Sequence, residues 1–223
     1  IVTTETTPEE AASMGEEVRR RGMELSSIYV GNFAVEKSIE AGIAGLKRLI
    51  DNCAAARSPR ILISGTGKDA LVEAYYKVVA ECCDYAAANN ISISVKPHGG
   101  SNATAAQCRK IVETVGKKNF GMWYDPGNIF FYSEGKIDPV EDVPDAHGLI
   151  MGMSIKDYKA PKEVMVTPGT GLVNFREVLR RARQGGFTRG PLIVECLDRS
   201  DSAAKITAEA RKARQLLEEL TRA

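Results

Sequence analysis

The sequence predicts an α/β protein, a single (β/α)8 barrel. Short apolar runs alternate with amphipathic helical stretches along the 223 residues, the pattern of parallel βαβ units. Six strands can be placed, near residues 25, 61, 91, 120, 150 and 192. Polar residues recur at the carboxyl ends of these strands: Lys96 and His98, Asp125, Lys156, Glu195. Barrel active sites are built at that end, which favours a barrel over an open doubly wound sheet.

The elements follow in order. Ile1-Val2 reads as the end of a strand. Thr7-Pro8-Glu9-Glu10 reads as a helix start, with a hydroxyl cap, a proline in the first turn and acids near the positive end of the helix dipole. That helix should run to about Arg21 and stop at Gly22. "MELSSIYVG" is a strand. In "EKSIEAGIAGLKRLIDNCAAAR", Ile39, Ile43, Leu46 and Ile50 fall on one helical face. "RILISGTG" is a strand, "DALVEAYYKVVAECCDYAAANN" a long helix, and "ISISVKPHGG" the next strand. "ATAAQCRKIVETVG" is a helix closed by Gly116, and "NFGMWYDPGN" a strand with a turn behind it. "HGLIMGMSIKD" is a strand, "NFREVLRRARQGG" a helix with a glycine stop, and "GPLIVEC" the last strand. The tail from about Ser202 is a charged amphipathic helix.

Side chains alternate across a strand. Ile91, Ile93 and Val95 should face the helices, while Ser92, Ser94, Lys96 and His98 face inward. The same rule turns Trp123, Asp125, Ser154, Lys156 and Glu195 inward. Lys96, Asp125, Ser154 and Glu195 are therefore expected at one mouth.

Composition narrows the classes. Hydrophobic residues make up 43% and charged residues 26%, ordinary for a soluble globular domain. A net charge of +1 gives no ground for nucleic acid or an anionic membrane as partner. No apolar run approaches the ~18 residues of a membrane span. The five cysteines, Cys53, Cys82, Cys83, Cys108 and Cys196, include no CxxC; they are expected as reduced core thiols of a cytoplasmic protein. No linker or low-complexity segment divides the chain, so one domain over residues 1–223 is expected. "IVTTETTPEE" has neither an initiator methionine nor a signal-peptide core.

The pieces "VKPHGG", "WYDPGN", "MSIKD", "PGTGLVNF" and "GGFTRGPLIVEC" together resemble the xylose isomerase-like TIM barrels, which include sugar phosphate isomerases and epimerases. The resemblance runs from about Pro8 onward and is best from Ile91 to Cys196. It implies that Ile1-Val2 ends the second barrel strand, with the first strand and helix absent from the sequence. It also implies a divalent metal (manganese, magnesium, zinc or cobalt) among acidic and histidine ligands, with carboxylates moving protons on adjacent sugar carbons. Carried across, Asp125 and Glu195 match two ligands, and His98 matches a histidine often found two residues after the fifth-strand glutamate.

Two positions depart from the pattern. Lys96 stands where the fifth-strand glutamate is expected, and Ser154 where the seventh-strand histidine is expected. An ammonium cannot ligate a cation. Lys96, Asp125 and Glu195 would instead form a buried charge cluster and the catalytic set. Lys96 could then serve as proton donor, general base, imine former or electrostatic stabiliser; a carbamylated Lys96 would restore a ligand. If a metal is held, Asp125, Glu195 and His98 are its expected ligands.

Ser154 reads as small filler. His98, Trp123, Asn128, Lys156 and Asp157 are the expected substrate-binding residues, Trp123 by stacking on a sugar ring or else as core. Neither "GTG", at Gly65 to Gly67 or Gly169 to Gly171, is a P-loop, though the first could let backbone amides approach a ligand. His147 precedes a strand and reads as structural.

The expected function is a sugar isomerase or epimerase acting on a small sugar, keto-sugar or polyol by proton transfer beside a carbonyl. The alternatives are a lyase on a keto-sugar or a non-catalytic barrel that binds a sugar or a partner through a degenerate metal site. The expected partners are the carbohydrate and further copies of the chain in a homo-oligomer.

Overall fold

The computed structural model describes residues 2–222. In chain order it contains α1 (Pro8–Arg20), β1 (Ile28–Tyr29), α2 (Ile39–Ala55), β2 (Arg60–Ile63), α3 (Val72–Ala88), β3 (Ser92–Val95) and α4 (Ala105–Val115). Then come β4 (Phe120–Tyr124), α5 (Pro126–Tyr132), α6 (Pro139–Asp142), β5 (Ile150–Ile155), α7 (Phe175–Gln184), β6 (Leu192–Val194) and α8 (Ala203–Thr221). The fold is α/β, as the alternation of apolar runs implied. The chain divides into two compact units, one of residues up to 96 with 110–121, the other of 97–109 with 122 onward.

In the first unit β1, β2 and β3 pair in parallel, with Ile28 opposite Ile61 and Ile61 opposite Ile93. Val2 makes a parallel bridge to Val30, and Gly31 N–H donates to Val2 O at 2.9 Å. The strand end expected at Ile1-Val2 is therefore seen at Val2; Ile1 lies outside the described residues. The strand expected at "MELSSIYVG" shrinks to two residues, because Met23 is exposed and only Ile28 and Val30 carry buried side chains there. Helix α1 starts as its sequence dictates. Thr7 Oγ1 accepts Glu10 N–H at 3.2 Å, and the Glu10 carboxylate accepts Thr7 N–H at 2.8 Å, a reciprocal cap that satisfies two orphan donors. Helix α2 buries Leu46, Leu49, Ile50 and Cys53, and α3 buries Val78, Val79, Cys82 and Cys83. Burial pushes the Cys53 and Cys83 thiols up to about 12, as core filler requires.

In the second unit β4, β5 and β6 pair in parallel, with a register shift between Met122 and Trp123. Alternation turns Tyr124 to the helix side, where its hydroxyl donates to Pro139 O at 3.0 Å and Asp142 Oδ2 at 3.1 Å. The Asp142 carboxylate also accepts Ala105 N–H at the start of α4. Arg109 ties the α4 side to Asp145 O and His147 O. The His147 ring lies against Gly185, a structural place as expected. Among the described residues no helix is long and apolar enough to cross a membrane.

Asp142 makes stability depend on pH. Burial pushes its carboxyl up to about 6 from 3.8, against the pull of the Ala105 and Tyr124 hydrogen bonds. The folded state therefore holds this proton more tightly than the unfolded chain. The resulting stability is complete below the unfolded value and is lost as pH rises through about 6. A difference of about two units corresponds to roughly 3 kcal/mol. Urea unfolding of wild type should show this fall between about pH 4 and 7, and Asp142→Asn, which keeps an oxygen for Ala105 N–H, should flatten it. Equal pH slopes in the two proteins would assign the titration elsewhere.

Candidate active site

The carboxyl ends of β5 and β6 hold a continuous polar chain. Ile155 pairs with Val194, and Glu195 N–H donates to Ile155 O at 3.1 Å. This register brings Glu195 beside Ser154 and Lys156. Trp123 Nε1 donates to Ser154 Oγ at 3.0 Å, and Ser154 Oγ donates to Glu195 Oε2 at 2.8 Å. Lys156 Nζ donates to Glu195 Oε1 at 3.1 Å and to Asn128 Oδ1 at 2.9 Å. Asn128 Nδ2 donates to Pro97 O at 2.8 Å.

Burial separates the members of this chain. The Lys156 side chain is 10% exposed and that of Glu195 35%. A buried ammonium is tolerated because carboxylate and amide oxygens surround it. Glu195 is the accessible end of the pair.

Asp125 is fully buried, and its Oδ1 accepts Asn128 N–H at 2.9 Å. The sequence suggests a turn at "DPGN". It is the start of α5, with Asp125 as cap and Pro126 in the first turn. Gly127 leaves the room that the Lys156 side chain occupies, since a Cβ there would strike Lys156 Cγ. Trp123 is 2% exposed, and its ring lies over Gly152, where any side chain would collide with it. The indole is thus packed on β5 and fixes Ser154.

Asp157 is fully buried and gathers the following loop. Its Oδ1 accepts Tyr158 N–H at 2.8 Å and Val173 N–H at 3.0 Å. Its Oδ2 accepts Gly169 N–H at 2.9 Å and Gly171 N–H at 2.8 Å. The second "GTG" is therefore a clamp on this carboxylate. His98 is exposed, with Nδ1 3.1 Å from the Tyr132 hydroxyl. Lys96 lies in the first unit, directly after β3; it is 4% exposed and its N–H donates to Ile63 O at 2.9 Å. Cys196, next to Glu195, sits at φ 68°, a left-handed conformation that costs a side-chain-bearing residue about 1 kcal/mol or more.

The donor set does not fit a resident divalent cation. Glu195 already takes a hydroxyl on one oxygen and an ammonium on the other. Ser154 supplies no imidazole. Among the described residues no group of three or more His, Cys, Asp or Glu is placed to hold a metal ion, so Asp125, Glu195 and His98 do not form one.

Sequence reasoning placed Trp123, Ser154, Lys156 and Glu195 on one side of their strands, and in the second unit the structure bonds these four together. It missed the bridging role of Ser154 and the pairing of Glu195 with Lys156. The signal for the latter was the "SIK" spacing, which puts Ser154 and Lys156 on one face of β5.

A family model described as xylose isomerase-like TIM barrel matches residues 3–220. No curated protein sequence matches the chain. A xylose isomerase-like TIM barrel protein from Mycobacterium smegmatis, solved in complex with magnesium, superposes with a TM-score of 0.78 at 20% identity, over 98% of this chain and 80% of that one. D-psicose 3-epimerase, solved in the presence of D-fructose, gives a TM-score of 0.76 at 17% identity, over 97% and 85%. A 3-keto-D-glucoside 4-epimerase from E. coli gives 0.71 at 13% identity, over 96% and 87%. Likeness at these identities is likeness of fold.

Proposed function

The chain belongs to the xylose isomerase-like TIM barrel family, and on that premise we propose that it is a sugar isomerase or epimerase that moves a proton beside a carbonyl. The observation that carries this reading is Glu195 held between the Ser154 hydroxyl and the Lys156 ammonium at the carboxyl ends of β5 and β6. The sugar epimerases among the structural neighbours support the substrate class, a small sugar, keto-sugar or polyol.

Enolisation needs a base at the acidic C–H and a positive group at the carbonyl oxygen. Glu195 takes the proton through its exposed face. The C–H electron pair moves into a carbon–carbon double bond, and the carbonyl oxygen becomes an enolate. The Lys156 ammonium stabilises that oxygen by charge and hydrogen bond. In epimerisation the enolate carbon takes a proton from solvent water on its other face while Glu195 releases its own proton to water; in isomerisation the Glu195 proton goes to the former carbonyl carbon, and the hydroxyl proton of the deprotonated carbon passes to the enolate oxygen. Ser154 fixes the carboxylate, and Asp125 fixes Asn128, which in turn orients Lys156. His98 binds a substrate hydroxyl. We also propose Lys96 as a catalytic cation, which Lys96→Met tests through the exchange rate below; an unchanged rate would remove it.

Lys156→Met should slow exchange of a keto-sugar C–H with deuterated water by about 10²–10³, the usual cost of one oxyanion donor. Proton NMR reads this rate. Unchanged exchange in the variant would remove Lys156 from the chemistry.

A second reading, a sugar-binding barrel without catalysis, is favoured by one observation: both Glu195 oxygens are already bonded within the protein. It predicts sugar binding with no exchange in any substrate. A lyase would share the proton abstraction and differ in releasing an unsaturated product.

A further inference from the structure

Within the second unit, at the amino end of β6, lies a cavity of about 300 Å³, at the small end of the range of small-molecule sites. Every residue lining it belongs to that unit. No residue of the Glu195 cluster contributes to it, and β6 runs between the two, with Gly190 before its first residue and Glu195 after its last.

One wall is the turn that joins α7 to β6. Gly190 adopts a φ of 148°, and a Cβ there would strike the Phe187 ring. The bare backbone of this glycine therefore lies against Phe187, which is buried and forms an apolar floor with Leu192. Thr188, Arg189 and Gly190 are exposed. Among the described residues, the Arg189 guanidinium, the Thr188 hydroxyl and the N–H groups of Arg189 and Gly190 donate to no protein acceptor. Arg183, in the last turn of α7, donates through Nη2 to Leu220 O at 2.9 Å. That bond ties the side chain to the end of α8 and leaves the rest of its N–H donors unspent.

The lining thus carries two guanidinium groups and a hydroxyl, and no carboxylate. Like charges facing one small cavity repel each other, and an anion between them removes that repulsion. A carboxylate has only two oxygens, fewer than these donors can fill. A phosphate has at least three and up to two negative charges, and guanidinium forks match it in pairs of hydrogen bonds. We propose that this cavity binds a phosphate group, either as the free ion or as the end of a small phosphate ester. Arg183 and Arg189 hold its oxygens, the Gly190 N–H and the Thr188 hydroxyl complete the set, and Phe187 and Leu192 receive the apolar part of an ester.

Titration of the ¹⁵N-labelled chain with inorganic phosphate or phenyl phosphate, at fixed ionic strength in a buffer free of phosphate, should shift the amides of Thr188, Arg189 and Gly190. The shifts should saturate with a dissociation constant on the order of 1 mM. Tighter binding of phenyl phosphate assigns an ester as the ligand, and equal or weaker binding assigns the free ion. The Arg189 side chain bonds no described residue, so Arg189→Met should keep the fold and weaken either ligand about tenfold. Arg189→Lys keeps the charge without the fork and should fall between the two. Three results would overturn the assignment: no saturable shift at these amides with either phosphate, wild-type affinity in Arg189→Met, or benzoate bound as tightly as phenyl phosphate.

Discussion

Replacing Glu195 by glutamine is expected to slow exchange of a keto-sugar proton with solvent by about 10²–10⁴, the usual contribution of a positioned general base. The amide has the same size and still accepts from Ser154 or Lys156, but it cannot take a proton. The loss should therefore fall on kcat, with KM little changed. The side chain is about one-third exposed, so the melting temperature should move little. NMR of deuterium incorporation together with a thermal melt checks both points. Wild-type exchange in this variant would place the base elsewhere.

Asp157→Ala is expected to carry the largest cost in stability. Four backbone N–H groups, from Tyr158, Gly169, Gly171 and Val173, lose their acceptor at once. The Tyr158 and Val173 donors are buried and cost about 1–3 kcal/mol each when orphaned, while the part-buried Gly169 and Gly171 donors cost less, so the loss should reach about 2 kcal/mol or more. Asp157→Asn keeps one oxygen and should fall between wild type and Ala. Urea unfolding measures this series. Lys156 immediately precedes Asp157, so release of this loop should also lower the exchange rate. An Ala variant that unfolds at the wild-type urea concentration would show that other contacts hold the loop.

Much of the fold is written in local signals. The hydroxyl, proline and glutamate of Thr7-Pro8-Glu9-Glu10 announce α1, and its reciprocal cap is present. Gly116 ends α4 in the left-handed conformation that a glycine supplies at least cost. Strand positions follow from apolar runs bounded by polar turns. Alternation put Trp123 and Ser154 on one side of their strands, and they are hydrogen-bonded.

The lysine beside Glu195 was harder to read. Alternation turns both Lys96 and Lys156 inward, and it does not show which acid either lysine meets. The structure pairs Glu195 with Lys156 through the register of Ile155 against Val194. Register is set between strands, and a single sequence does not display it. The Asp157 clamp escaped for a related reason. Its partners reach as far as sixteen residues along the chain, and no local spacing marks a carboxylate that will collect distant amides. "DPGN" is ambiguous in itself, since Asp followed by Pro opens both turns and helices.

Metal-stripped protein provides the most direct test of proton transfer by the Glu195–Lys156 pair without a resident divalent ion. Exchange of a keto-sugar proton into deuterated water would be followed before and after exhaustive chelation, with metal content read by mass spectrometry. The predicted result is the same rate in both samples, abolished by Glu195→Gln. A rate that collapses on chelation and returns with one equivalent of magnesium or manganese would contradict it.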